Sequence, residues 1–293
     1  MDAKDFKLLV ALHRNARLSY RSLGSRVSLS APAVRERLRR LEGSGVLRGY
    51  GLWIDPEAFG RDEILTFFKR ERTRDQVLAL LAVADVAWVG WKVEGGLTVG
   101  QWSVDTDRSV EQLASALGEA PFGRAVAPRR RHVPLGPLDW VIIDALIDDP
   151  RRAFGDLTDA TGLSPKTVRK HLERLIESET VVVMPRQGAV EGTGELVYHL
   201  AVAGSVNVDD VRDVIPDAML IHATIRPPMK YLLCRSTDFG EVTTKTIALR
   251  KLKGVESATT TLNRDLLFAR EFEHALVSEQ MKDGAALDYR KGK

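Results

Sequence analysis

A single cysteine, Cys234, stands in the 293 residues. No intramolecular disulfide framework can exist, clustered-thiolate metal sites are excluded, and a reducing compartment is expected. Long hydrophobic runs are also missing. The most apolar stretch, Val77 to Trp91, contains Asp85 and is too short to span a bilayer. The opening Met1-Asp2-Ala3-Lys4-Asp5 is charged and has no signal-peptide pattern. A soluble cytoplasmic protein without membrane contact is the expectation. There is no Gly-rich phosphate loop, no Gly-x-Ser-x-Gly elbow and no His-Glu-x-x-His helix. The six histidines, 13, 132, 171, 199, 222 and 274, form no motif that implies catalysis, a metal or a cofactor. Composition is otherwise that of a globular chain, 44% hydrophobic and 28% charged, which excludes wholesale disorder. The length suits two or more domains.

What the sequence does contain is a repeat. Shifted by 134 positions, residues 5–47 fall on 139–181 without a gap. Identities include Asp5/Asp139, Leu12/Leu146, Arg17/Arg151, Leu29-Ser30/Leu163-Ser164, Val34-Arg35/Val168-Arg169 and Arg40-Leu41/Arg174-Leu175. Two unrelated amphipathic segments would not hold this register, so the chain carries a duplication. Each copy reads as three helices. In the first, Phe6, Leu9 and Leu12 line one face of a helix from about Asp5 to Arg14, and a short helix from about Tyr20 to Arg26 follows. Ser30 then caps a basic helix, with Pro32 in its first turn, where a missing N–H costs nothing. Val34, Leu38 and Leu41 face inward. Val46 to Ile54, with its glycines, predicts a two-stranded wing. The arrangement is a winged helix-turn-helix.

After each copy the pattern becomes βαββαβ. The first half predicts strands Ile64–Arg70, Val86–Val93, Leu97–Val104 and Arg124–Val133, with helices bearing Val77/Leu81 and Val110/Leu117. The second predicts strands Glu195–Ala203, Met219–Ile225, Tyr231–Ser236 and Val255–Leu262, with helices around Val211 and Leu249. This is ferredoxin-like topology. The fold class is therefore α+β, with two winged helix-turn-helix domains (1–60 and 136–189) alternating with two ferredoxin-like domains (61–135 and 190–275) before a tail at 276–293.

Net charge is only +3, but it is unevenly spread. Residues 13–48 hold nine arginines against Glu36 and Glu42, giving +7, whereas the equivalent 147–182 comes to −1. A +7 surface on a small helix-turn-helix attracts the phosphate backbone of double-stranded DNA. The candidate DNA-binding residues are Ser30, Pro32, Arg35, Arg37, Arg39, Arg40 and Arg48 in the first copy. In the second they are Lys166, Thr167, Arg169, Lys170 and Arg174. A solvated arginine-rich face is the bland alternative, and for the second copy so is a domain kept for packing.

Asp2, Asp5, Leu8-Leu9, Leu12, Asn15-Ala16-Arg17, Leu29-Ser30, Arg37, Leu41-Glu42, Gly45-Val46 and Gly49-Tyr50 resemble the Lrp/AsnC, or feast/famine, family of transcriptional regulators. The resemblance implies a dimerising βαββαβ domain after each helix-turn-helix, and a small effector such as an amino acid. Ordinary members have one copy and dimerise, so this chain resembles a fused pseudo-dimer, open to further association into homo-oligomers. At 179–182, Glu-Thr-Val-Val replaces the family's wing pattern, which implies an altered or lost second wing. The effector position of relatives corresponds to the hairpin turns at Gly95-Gly96 and Pro227-Pro228. No cofactor is implied. The rival is a related branch, the sirohaem decarboxylases, faintly suggested by His222-x-x-x-Arg226.

Overall fold

In each half of the chain an aspartate in the first turn of the leading helix accepts from the N-cap N–H, Asp5 from Asp2 and Asp139 from Gly136. In the computed structural model, which describes residues 1–129, 133–187 and 196–283, helix α1 spans Ala3–Arg14. Asp2 accepts from the Lys4 and Asp5 N–H groups, and the Asp5 carboxylate accepts in return from the Asp2 N–H at 2.9 Å. This reciprocal box satisfies donors that a helix end would leave orphaned. Helix α2 (Tyr20–Val27) packs tightly on α3 (Ala31–Gly43): a Cβ on Gly24 would stand 2.3 Å from the Leu29 carbonyl oxygen. Ser30 caps α3 through the Ala33 N–H, with Pro32 in the first turn.

Strand β1 (Leu47–Ile54) leads into the first βαββαβ unit: β2 (Asp62–Phe68), α4 (Arg74–Ala79), β3 (Val86–Lys92), β4 (Leu97–Ser103), α5 (Thr106–Leu117) and β5 (Gly123–Val126). The second half repeats the order, with α6 (Pro137–Ile147), α7 (Phe154–Thr161), α8 (Pro165–Glu177), β6 (Val181–Gln187), β7 (Leu196–Gly204), α9 (Val208–Val214), β8 (Met219–Ile225), β9 (Pro228–Ser236), α10 (Phe239–Arg250) and β10 (Val255–Thr261). β11 (Asn263–Phe268) and α11 (Arg270–Asp283) follow. The fold is α+β, helix-turn-helix units alternating with ferredoxin-like ones.

Three expectations need correction. The predicted wing at Val46–Ile54 is not a hairpin. It is the single strand β1, and its antiparallel partner is β6 of the other copy, with Leu52 opposite Val183 and Ile54 opposite Val181. Gly49, at φ +100, sits at an irregularity in the register rather than at a tight turn. A two-stranded hairpin this short would be marginal alone, whereas β6 brings buried Val181 and Val183 to the buried Leu52 and Ile54. For the same reason residues 181–187 are not a lost wing. Second, the final strand of the first sheet is short, Gly123–Val126; residues 130–132, including His132, lie outside those described. Third, the second half does not end at 275. The sheets run β11-β3-β4-β2-β5 and β10-β7-β9-β8, so β11 crosses over and extends the first sheet beside β3. α11 then packs on α6, burying Leu276 and Val277. Residues 263–268 therefore extend the first half's sheet, whereas α11 lies mainly on α6 of the second copy; 284–293 lie outside the described residues.

One hydrophobic cluster joins both helix-turn-helix copies, β1 and β6, Trp102 of the first sheet, and α11. Separate clusters lie between each sheet and its own helices. The two sheets meet through Leu65, Phe67 and Ala125 against Met229 and Tyr231, and through the Val126 N–H donating to the Arg226 carbonyl at 3.0 Å. Because the first cluster is shared, damage from the far end of the chain should reach both copies. Leu276→Ala is expected to cost about 3 kcal/mol while urea unfolding stays a single transition, seen coincidently by far-UV circular dichroism and tryptophan fluorescence. Independent unfolding of one copy would contradict the shared core.

Candidate nucleic-acid interface

Each basic helix is pinned to the first helix of its own copy by a buried aspartate. Asp5 is 5% exposed and receives Arg37 Nη1 at 2.7 Å, with Arg40 at 3.8 Å; Arg37 also reaches Asp2 at 2.7 Å. In the second copy Asp139, fully buried, receives His171 Nδ1 at 2.7 Å, and Arg174 on its other oxygen. It also accepts from the Gly136 N–H at 2.8 Å. Positions 37 and 171 are equivalent under the repeat, as are 40 and 174. The Asp5/Asp139 identity was the available sequence signal for these pins. Burial works against ionisation of Asp139, but His171, the Gly136 N–H and Arg174 outweigh it and hold the carboxyl below its ordinary range.

This geometry sorts the candidate residues. Arg37 and Arg174 face inward to their aspartates and buttress the helices that carry them. Arg35, Arg39 and Arg40 are exposed on α3. Arg39 meets Glu36 at 2.9 Å, a surface pair that a phosphate can displace at little cost. Ser30 and Pro32 stand at the N-terminus of α3, where the macrodipole and free N–H groups favour phosphate. Arg48 is exposed beside Asp265, at 3.4 Å. On α8, Lys166, Arg169 and Lys170 are exposed; the Arg169 guanidinium lies over the Phe154 ring at 5.4 Å. Thr167 shares a 2.9 Å hydroxyl contact with the cap Ser164.

Not every arginine in the +7 window is surface charge. Arg17 donates to the Pro150 and Arg152 carbonyls at 2.7 and 2.9 Å. Its repeat equivalent, Arg151, donates to the Tyr50 hydroxyl at 2.7 Å and stacks on that ring. These two residues tie the copies together, an assignment composition alone could not make. Arg21 and Arg26 on α2 are exposed, as is Arg14, which lies at the rim of the space between the sheets.

The other candidates are not assembled into a site. Gly95 and Gly96 form the β3–β4 turn. Gly95 has φ +91, and a Cβ on Gly96 would stand 2.8 Å from the Phe68 carbonyl oxygen. Backbone geometry accounts for both glycines. His222 faces the space between the sheets, its Nε2 3.7 Å from Glu63 Oε2, whereas Arg226 is exposed at the end of β8. Among the described residues, no group of three or more His, Cys, Asp or Glu is placed to hold a metal, and no helix is long and apolar enough to cross a membrane.

The AsnC-type helix-turn-helix family matches residues 1–42, and a winged helix-turn-helix DNA-binding family matches 135–182. The chain is similar to the HTH-type transcriptional regulator LrpB of Bacillus subtilis (strain 168), 25% identical over 97 residues, covering 32% of this chain and 65% of the relative. It is similar to LrpC of the same organism, 38% identical over 60 residues, or 20% of this chain and 42% of the relative. The leucine-responsive regulatory protein of Rhizobium meliloti (strain 1021) is 32% identical over 100 residues, 32% of this chain and 64% of the relative. The chain thus spans less than two thirds of the length of these curated relatives. Among solved structures, the siroheme decarboxylase NirDL aligns over 95% of this chain and 99% of its own at 13% identity, with a TM-score of 0.49. The Mycobacterium tuberculosis leucine response regulatory protein LrpA aligns over 46% of this chain and 100% of its own, at 22% identity and a TM-score of 0.32.

The aspartate pins carry a testable stability signature. Asp139→Asn leaves His171 and the half-exposed Arg174 facing a neutral amide instead of a buried carboxylate, and is expected to cost about 2 kcal/mol at neutral pH. A depressed carboxylate contributes its stability above its ordinary value of 3.8 and loses it as pH falls through the lower folded value. Denaturant curves of the two proteins should therefore differ fully at pH 7 and converge in strong acid. A pH-independent gap would show that the carboxylate charge is not what matters.

Proposed function

From the AsnC-type helix-turn-helix at residues 1–42 and the winged helix-turn-helix at 135–182, we propose that the chain is a cytoplasmic, sequence-specific DNA-binding transcriptional regulator working as a single-chain pseudo-dimer. The observation that carries the reading is the duplicated helix-turn-helix, each copy with a serine-capped basic helix whose cations at the outer positions are exposed. The sequence relatives, themselves named transcriptional regulators, support it. Catalysis is not part of the reading, and the pair that suggested it, His222 and Arg226, does not converge. A small effector, of which an amino acid is the type the resemblance implies, would modulate binding, and association of chains into larger assemblies would extend the contact along DNA.

The two readers are unequal. α3 presents Arg35, Arg39 and Arg40, whereas α8 presents Lys166, Arg169 and Lys170 among Glu173 and Glu177. In a homodimer identical helices read a palindrome with half-sites about one helical turn apart. Fusion lifts that constraint. The first copy supplies most of the electrostatic affinity, and the second supplies register and discrimination on a non-palindromic site.

Selection of bound fragments from a genomic library, followed by titration of a selected duplex at several salt concentrations, tests this. Arg35→Ala with Arg39→Ala should weaken binding and reduce the salt slope by about one unit per lost phosphate contact. Lys166→Ala with Lys170→Ala should remove preference at one half-site and keep most non-specific affinity. Unchanged affinity and slope in the first pair would exclude α3 as the reader. A symmetric operator with equal losses from either helix would overturn the asymmetry.

A further inference from the structure

A cavity of about 960 Å³ lies between the two sheets, on the faces away from their helices, with β6 and the end of α1 at one end. The first sheet contributes Leu65, Phe67 and Trp88, and the second Ala201, Leu220 and Tyr231. The cavity exists because small residues stand where facing strands would otherwise interdigitate: Gly90 on β3 and Ala201 on β7 both line it. Gly100 on β4 serves it indirectly. A Cβ there would stand 2.1 Å from the Trp88 indole, so its absence lets the ring lie across β4 and form one wall. The Trp88 Nε1–H donates to Glu63 at 3.2 Å, which fixes the ring's orientation.

Three histidines from separate parts of the chain converge on this space: His13 from α1, His199 from β7 and His222 from β8. Among the described residues, His199 Nδ1 and His222 Nε2 are buried without a hydrogen-bond partner; Glu63, at 3.7 Å from His222, is beyond hydrogen-bond reach. Unsatisfied buried polar atoms are costly in a folded protein unless something supplies the bond. Burial also holds His199 down to about 4, and burial with the neighbouring His199 holds His13 down to about 3. At neutral pH the His13 and His199 rings are uncharged, and the charged groups along the lining, Arg14, Lys92 and Arg212 against Glu63, Glu177 and Glu179, are balanced in sign, so the space offers hydrogen bonds and no net attraction for a carboxylate.

We propose that this inter-sheet cavity is the effector site, and that its ligand is a flat, mainly apolar molecule much larger than an amino acid, bearing a hydroxyl or carbonyl that bonds His199 and His222. The word effector rests on the regulator reading above; the binding itself does not. The volume lies in the range of sites for drug-sized ligands, and an amino acid would leave most of it unfilled. Two facing sheets bound a slot, which admits a plate more readily than a sphere. Because the walls come from both halves of the chain, occupancy would set the spacing of the sheets and, through β6 and α1, bear directly on the helix-turn-helix core.

The test uses the full chain and the neutral fluorescent probe N-phenyl-1-naphthylamine, with 2-naphthol as a hydroxyl-bearing competitor and leucine, methionine and phenylalanine as amino-acid competitors. The expected result is saturable binding at one probe per chain, displaced by 2-naphthol and not by the amino acids. Ala201→Phe, which fills the slot, should weaken the probe at least tenfold without lowering the melting temperature; Gly90→Val is the second variant should that one misfold. His199→Leu should leave the probe within about twofold and weaken 2-naphthol about tenfold, the value of one lost hydrogen bond. No saturable binding, undiminished binding in both filled variants, or displacement by the amino acids would overturn the proposal. So would a Soret shift with haem that His199→Leu abolishes, if the neutral probe does not bind. Duplex affinity of the same preparation is measured separately. Intact DNA binding without probe binding sinks the cavity ligand alone, and probe binding without DNA binding sinks the regulator reading alone.

Discussion

The pairing of β1 with β6 is the constraint on which the rest of the architecture depends. Each strand alone is a short apolar segment leaving a helix-turn-helix, with one edge of backbone donors and acceptors unsatisfied. Brought together antiparallel, they satisfy that edge and place Leu52, Ile54, Val181 and Val183 in one core. Arg17 and Arg151 repeat the logic in polar form, each reaching from its own copy into the other. With the helix-turn-helix copies so joined, the sheets that follow are brought face to face, and the space between them is enclosed by both halves.

Much of this was legible in the sequence, for identifiable reasons. The helical units were found because their signals are local: Ser30 and Ser164 as caps, Pro32 and Pro165 in first turns, and a register of buried leucines repeated at a fixed offset. The alternation of strands and helices gave the ferredoxin-like units for the same reason. What failed was long-range. Gly49-Tyr50-Gly51 carries the composition of a hairpin turn, and nothing local reveals that the partner strand lies in the other copy. β11 has an ordinary strand pattern, and only the open edge of β3 explains where it goes.

The candidate interface was legible in its charge and not in its allocation. Counting arginines finds a basic copy, but a count cannot distinguish Arg35, exposed, from Arg37, locked against two aspartates. The repeat held a partial clue, because a carboxylate preserved at positions 5 and 139 opposite cations at 40 and 174 is a pattern of internal pairing. The cavity left weaker traces still. Gly90 and Ala201 are unremarkable residues in strands, and the histidines that meet there are separated by most of the chain.

The strand that closes the edge of the first sheet lies 176 residues downstream of the strand it pairs with, Leu266 opposite Gly90. On a ribosome adding roughly 5–20 residues per second, that gap is a delay on the order of ten seconds. During it the first half has its own helices and four strands, while the flank of β3 bearing Trp88 and Trp91 stays uncovered. Contacts of such sequence separation form late, since loop closure comes before the reward. Until then the edge of β3 presents unpaired backbone donors and acceptors. Completion of the first sheet therefore waits on translation of the second half.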